Sequence, residues 1–140
     1  KEGRDRFVKE RRQPLVEEGK EPADIAPDVV PGLLASDAPK AVVQELITSM
    51  GRLHKESYIK SIEALTLYEP ITDVSKITVP VQIIVGEEDK LTPPSISEKM
   101  HSQIKDSRLK VIPKAGHLTN IEQPELFNEC LASFLIEFHS

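Results

Sequence analysis

Residues 77–117 read ITVPVQIIVGEEDKLTPPSISEKMHSQIKDSRLKVIPKAGH, and this stretch decides the fold. Val79–Val85 is rich in β-branched apolar residues on both parities, as a central strand covered on both faces requires. Pro80 belongs at the entry of that strand, and Gly86 permits a tight exit from it. The acidic cluster Glu87-Glu88-Asp89 follows. Thr92 is expected to cap the next helix, with Pro93 and Pro94 in its first turn. That helix is expected to run to about Ile104, with Ile96, Met100 and Ile104 at spacing four. Leu109–Ile112 reads as a second short strand. Ala115-Gly116-His117 closes it, and the glycine lets the backbone turn before the histidine.

Strand, helix and strand in that order predict a parallel pair joined by a right-handed crossover. Asp89 and His117 then stand just beyond the carboxyl ends of two neighbouring strands, where open parallel sheets bind their ligands. A carboxylate that accepts a hydrogen bond from one ring nitrogen fixes the tautomer of a histidine. The other nitrogen is left free to take a proton from a nucleophile.

Further along the chain, Pro124 starts a last helix. Its Leu126, Phe127, Cys130, Leu131, Phe134, Leu135 and Phe138 form an apolar stripe too large to face water, so it is expected to pack on a sheet. Two strands alone cannot make a stable sheet with both faces covered. Residues 76–140 therefore read as the end of a larger parallel sheet.

Upstream of the stretch, residues 1–70 contain helices and loops with no persuasive strand. Residues 1–19 read as a weakly amphipathic helix interrupted at Pro14. Residues 20–37, with Pro22, Pro27, Pro31 and Gly32, read as a loop holding one short turn around Val29–Ala35. Residues 38–51 read as a helix whose buried face is Val42, Val43, Leu46, Ile47 and Met50. Asp37 is its expected N-cap, Pro39 fits its first turn, and Gly51 is its expected C-cap. Residues 55–68 read as another helix, with Tyr58, Ile59, Ile62 and Leu65 on one side and Pro70 ending it. Residues 70–78 link this part to the strand region. The expected division is thus a helical segment and linker over 1–75 and a strand–helix–strand–helix part over 76–140.

Composition narrows the function classes. The 140 residues are 39% hydrophobic and 29% charged, values of neither a disordered nor a membrane-spanning chain. No apolar run approaches the ~20 residues that cross a bilayer. The net charge is −5: residues 1–75 carry 11 Lys/Arg against 14 Asp/Glu (−3) and residues 76–140 carry 7 against 9 (−2). An acidic chain without a basic stripe is a poor partner for nucleic acid, and no membrane partner is expected. Cys130 is the single cysteine, so no internal disulfide or Cys-based zinc site can form. A cytoplasmic setting is expected. The start, KEGRDRFVKERRQ, shows no signal-peptide pattern and no initiator Met, so a processed or excised segment is expected. No His-x-x-x-His or clustered carboxylate spacing suggests a metal.

VPVQIIVGEEDKLTPP followed by VIPKAGHLTNIEQPELF resembles the C-terminal part of the α/β-hydrolase superfamily. The family's G-x-x-D-x-x-x-P-like turn after the penultimate strand is matched by Gly86, Asp89 and Pro93. Its A-G-H turn after the last strand is matched by Ala115, Gly116 and His117. The E-x-P start of the following helix is matched by Glu122 and Pro124. The resemblance implies an α/β fold with an incomplete sheet: two parallel strands with flanking helices, preceded by an all-helical cap-like segment. It implies that Asp89 and His117 are the acid and base of a Ser–His–Asp triad, and that residues 25–65 contribute substrate contacts. The implied parent hydrolyses a small-molecule carboxylic ester, thioester, lactone or enol-lactone through an acyl-serine, without a cofactor. The same fold also acts on carbon–carbon, epoxide and carbon–halogen bonds.

The sequence departs from the family where the nucleophile belongs. It contains no G-x-S-x-G elbow and no His-Gly oxyanion segment. Ser49 in ITSMG is the nearest half-match, but Ile47 occupies the first glycine position and the segment has a helical pattern. The chain is therefore expected to supply the acid and the base, not the nucleophile, and to be inactive alone. Its expected partners are an ester or lactone substrate and the missing N-terminal core portion. The competing reading is a non-catalytic fragment that binds or dimerises through an exposed sheet edge.

Other polar residues in the stretch have blander readings. Glu87 and Glu88 read as solvated turn residues, and Lys114 and Thr119 as residues that shape the turn around the histidine. His54, His101 and His139 read as surface residues. Cys130 reads as a buried, inert thiol.

Overall fold

The computed structural model describes residues 2–67 and 73–137. The chain separates into two compact units, Lys1–Pro31 with Val43–Pro70, and Gly32–Val42 with Ile71–Ser140.

The first unit is helical. It contains α1 (Glu2–Val16), α2 (Pro22–Val29), the greater part of α3 (Lys40–Gly51) and α4 (Lys55–Leu67). α1 packs against α2 and α4. Leu15, Ile25 and Ile62 are buried. The Arg12 guanidinium donates to Glu63 Oε1 from Nε at 2.9 Å and from Nη2 at 2.8 Å, which ties α1 to α4. Pro14 lies inside α1, in its last turn, and does not end it.

In residues 20–37 the short turn expected around Val29–Ala35 is the 3₁₀ turn Val30–Leu33, but the expected loop before it is the helix α2. Pro22 stands in the first turn of α2, where its missing N–H leaves no bond unmade. The Asp24 carboxylate accepts the Glu21 N–H at 2.8 Å, which caps the start. Pro22, Ile25, Ala26 and Val29 are buried along one face. That burial offsets the backbone bond that Pro27 cannot make.

The face expected on α3 is the one observed. Val42, Val43, Leu46, Ile47 and Met50 are half-buried, while Gln44, Glu45, Thr48 and Ser49 are exposed. The helix starts at Lys40, so Asp37 is too far upstream to be its N-cap, and Gly51 is its last helical residue rather than the one beyond. On α4 the covered stripe runs through Tyr58, Ile59, Ile62, Glu63 and Thr66. It follows rows of spacing four, which leaves Leu65 60% exposed instead of on the covered side. The end expected at Pro70 lies outside the described residues.

The second unit holds a two-stranded parallel sheet. β1 (Val81–Gly86) pairs with β2 (Ser107–Ile112) in the register Val81↔Ser107 through Gly86↔Ile112. α5 (Pro94–Gln103) joins them. A 3₁₀ turn at Val74–Lys76 precedes β1, its start fixed by Asp73 accepting the Ser75 N–H. α6 (Thr119–Glu122) and α7 (Pro124–Glu137) follow β2, and α7 packs on both strands. Ile83, Val85, Ile104, Ile112 and Ala115 are buried, together with Leu34 and Ala35 from the Gly32–Val42 segment.

β1 begins two residues later than expected, leaving Val79 exposed, and β2 begins two residues earlier. The Val81 N–H donates to Asp106 O at 2.9 Å, so pairing reaches back through the polar Ser107-Arg108, which hydrophobicity alone does not mark as strand. Neither parity of β1 is fully covered: Ile83, Val85 and Gly86 are buried, and Val81, Gln82 and Ile84 are half-buried. On α5, Ile96 and Met100 are exposed, and Ile104, just past its end, is buried. On α7, Leu126, Phe127, Cys130, Leu131 and Phe134 are half-buried and Leu135 is exposed. Two strands offer too little surface to bury that stripe fully. Phe138 lies outside the described residues. Among the described residues no helix is long and apolar enough to cross a membrane.

Candidate active site

The two strand exits are stitched together before any side chain takes part. The Glu87 N–H donates to Ile112 O and the Glu88 N–H to Ala115 O, both at 2.9 Å. The Asp89 N–H turns back to Gly86 O at 3.2 Å. Gly86 is required by this approach, because a Cβ on it would meet Gly116 O at 2.1 Å and Ala115 O at 2.3 Å. The result brings the residue three after β1 beside the residue five after β2.

Asp89 is buried, 6% exposed, and all four of its acceptor positions are used. Oδ1 accepts the backbone N–H groups of Leu91 and Thr92, each at 2.9 Å. Oδ2 accepts the Thr92 hydroxyl at 2.8 Å and lies 2.9 Å from His117 Nδ1. Burial pushes the Asp89 carboxyl up. The Thr92 backbone N–H, the His117 ring, the Thr92 hydroxyl and the charge of His117 together outweigh burial and hold it below its ordinary value. An ionised carboxylate only accepts, so the ring proton facing it belongs to Nδ1.

His117 is held at both ends. Its backbone N–H donates to Leu33 O at 2.8 Å. Its side chain is 34% exposed. Thr92 Oγ1 lies 3.3 Å from Nδ1 as a second, longer acceptor, since its own proton goes to Asp89. With Nδ1 carrying the proton, Nε2 presents its lone pair as a base.

The sequence reading names Asp89 and His117, and the structure brings them into contact. It assigns Thr92 to the helix cap, but Pro93 stands at the N-cap position of α5 and Thr92 binds Asp89 instead. The signal for this was present: an Asp followed three residues later by Thr makes an Asx turn with a side-chain clasp. Glu88 is not simply solvated. Its Oε2 accepts the Ser36 N–H at 2.9 Å and the Ser36 hydroxyl at 2.7 Å, and these bonds from Ser36, with Lys90 nearby, lower its carboxyl. Glu122 Oε1 accepts the Ala35 N–H at 2.6 Å and its Oε2 accepts the Gly116 N–H at 2.7 Å. Ser36 and Glu88 are separated by 52 positions and Ala35 and Glu122 by 87, and no local pattern announces those two contacts.

The remaining candidates keep lesser roles. Lys114 takes a left-handed backbone, φ 51°, which costs about 1 kcal/mol for a residue with a Cβ. Its carbonyl accepts the Gln123 amide at 3.1 Å. Thr119, five residues after Lys114, is buried, and Glu87 is exposed. His54 pairs with Ser57 and His101 with Ser107, while His139 lies outside the described residues. Cys130 is half-buried rather than buried, and burial raises its thiol, so it is not a thiolate. Ser49 sits within α3, on no strained turn. Among the described residues no group of His, Cys, Asp and Glu could hold a metal.

A family model described as the alpha/beta hydrolase fold matches residues 26–124. Two parallel strands, their exits and the flanking helices agree with it, and the chain belongs to the α/β-hydrolase fold family. RutD of Escherichia coli (strain K12 / DH10B), named as a carbamate hydrolase, is 29% identical over 102 residues, 73% of this chain and 38% of RutD. A thermophilic esterase from Thermogutta terrifontis superposes with a TM-score of 0.86 at 24% identity, over 99% of this chain and 52% of the esterase. Another solved structure, of a thermophilic esterase, superposes with a TM-score of 0.72 at 31% identity, over 90% of this chain and 51% of that one. The chain thus spans about half the length of these solved relatives.

Proposed function

We propose that Asp89 and His117 are the acid and base of a Ser–His–Asp relay that hydrolyses a small-molecule carboxylic ester, thioester or lactone. The observation that carries this reading is the 2.9 Å contact between His117 Nδ1 and Oδ2 of a buried carboxylate with no free acceptor position. Such a carboxylate stays ionised, fixes the ring tautomer and stabilises the imidazolium. Likeness to an esterase at 31% identity supports the bond class, and a carbamate carbonyl, as in the name of RutD, undergoes the same attack.

In this mechanism His117 Nε2 takes the proton of a serine hydroxyl as the serine oxygen attacks the carbonyl carbon. The proton then passes to the leaving alcohol or thiol, and the acyl-serine remains. Water repeats the sequence: His117 removes its proton, the new C–O bond forms, and the serine leaves with that proton. No cofactor enters. The sequence holds no G-x-S-x-G, so the serine and the oxyanion donors come from residues outside these 140. Residues 1–75 act as the family's helical cap in this reading, and residues 76–140 as the end of its core.

The test is turnover of a p-nitrophenyl ester by the full-length protein. His117→Ala should lower kcat by about 10³-fold or more with circular dichroism unchanged. Near-normal turnover removes His117 from the mechanism.

A further inference from the structure

Outside the Asp89–His117 pair, the second unit contains a second carboxylate with both oxygens committed. Glu122 stands five residues after His117, at the end of α6. One oxygen takes the Gly116 N–H at 2.7 Å and the other the Ala35 N–H at 2.6 Å. Gly116 is the residue whose rotation aims the His117 side chain. The Glu122 carboxylate therefore acts on the backbone immediately before the base, and anchors it to residues 33–35.

The same short segment is gripped twice more. Leu33 O accepts the His117 N–H at 2.8 Å, and Glu88 Oε2 accepts Ser36 through its N–H and hydroxyl. Leu34 and Ala35 are buried. A Cβ on Gly116 would lie 2.6–2.8 Å from backbone atoms of residues 33–35, so the two strips of chain are already at their closest approach. Bonds to a charged acceptor are the stronger kind, and a carboxylate that bridges two N–H groups fixes their separation as well as their direction.

We propose that Glu122 is a positioning residue for His117, bridging the Gly116 and Ala35 amides so that the ring stays in line with Asp89. The proposal rests on the reading of His117 as the base, but the arrangement it predicts can be measured without turnover. A carboxyl at this place accepts from both amides. An amide in its stead turns one NH₂ group against a backbone N–H, leaving two donors face to face. The clamp then opens on one side, and the ring loses its fixed relation to Asp89 Oδ2.

The experiment is ¹⁵N NMR of the full-length protein with labelled histidine, comparing the parent with Glu122→Gln. The parent is expected to show His117 as the Nδ1–H tautomer, and Glu122→Gln as a mixture of tautomers, with kcat down ~10- to 100-fold and KM within about twofold. Glu122→Asp, one methylene shorter, should fall in the same direction. An Nε2–H tautomer in the parent would sink the catalytic reading itself. An Nδ1–H tautomer that persists unchanged in Glu122→Gln overturns only the positioning role. Should neither variant fold, amide exchange in the parent decides: slow exchange at both Gly116 and Ala35 supports the bridge, and rates of open loop amides at either one refute it.

Discussion

A methyl group on Gly86 would lie 2.1 Å from the carbonyl oxygen of Gly116. The two glycines mark the point where the exits of β1 and β2 touch, and everything catalytic in the proposed mechanism depends on that contact. Asp89 follows one of them by three residues and His117 follows the other directly. No alternative side chain at position 86 leaves the exits this close.

Gly86→Ala should therefore be among the most damaging single changes. Overpacking against backbone cannot be relieved by a rotamer change, so a loss of about 3 kcal/mol is expected in urea unfolding. Gly32→Ala is the control, because nothing stands within 4 Å of a Cβ there. It should change stability by no more than about 0.5 kcal/mol. Equal midpoints for the two variants would contradict the close approach.

Thr92→Val removes the hydroxyl that donates to Asp89 Oδ2 while keeping the backbone donor and nearly the same shape. The loss of a bond to a charged acceptor should cost about 1.5 kcal/mol at neutral pH. The Asp89 carboxyl should also move up, since one of the groups holding it down has gone. Titration of the Asp89 side-chain carbon by NMR in parent and variant measures this directly, and an unmoved midpoint would show that the hydroxyl does not hold the charge.

The pH dependence of folding follows from the same carboxylate. Asp89 is lowered in the folded chain relative to its ordinary value, so near that value the unfolded state binds more protons than the folded one. Its contribution to stability is complete above the unfolded pKa of about 3.9 and disappears as the pH falls through the lower folded value. Urea midpoints should thus decline below about pH 4. Asp89→Asn should flatten that decline, because its side chain no longer titrates. An equally steep decline in the variant would assign the acid transition to other carboxylates.

The 140-residue chain by itself should not turn over a p-nitrophenyl ester through a serine. Ser49 is the nearest match to a nucleophile in sequence, yet it lies in a regular helix with no glycine before it at the required position. Ser49→Ala should leave any background rate unchanged. A rate abolished by that substitution would overturn the assignment of the nucleophile to residues beyond these.

The local signals were strong where chemistry is local. A β-branched run between Pro80 and Gly86 marked the first strand, the short apolar Leu109–Ile112 marked the second, and the i, i+1, i+4 rhythm marked the face of α3 that is covered. Asp89 and His117 were legible because each stands at a fixed offset from a strand end. The helix α2 was missed because three prolines read as breakers, whereas one of them suits a first turn and burial compensates another. Leu65 was misplaced because a real helix face drifts along rows of spacing four.

What the sequence by itself determined is the family and the pair: a parallel strand–helix–strand, an aspartate just after the first strand and a histidine just after the second. What only the tertiary structure decided is how that pair is held. Glu122 reaches the Ala35 N–H across 87 positions, and Glu88 fastens Ser36 across 52. A hydrogen bond has no signature in a single chain when its partners are distant in sequence. Its existence depends on two backbones meeting, and here that meeting is permitted by the missing side chains of Gly86 and Gly116.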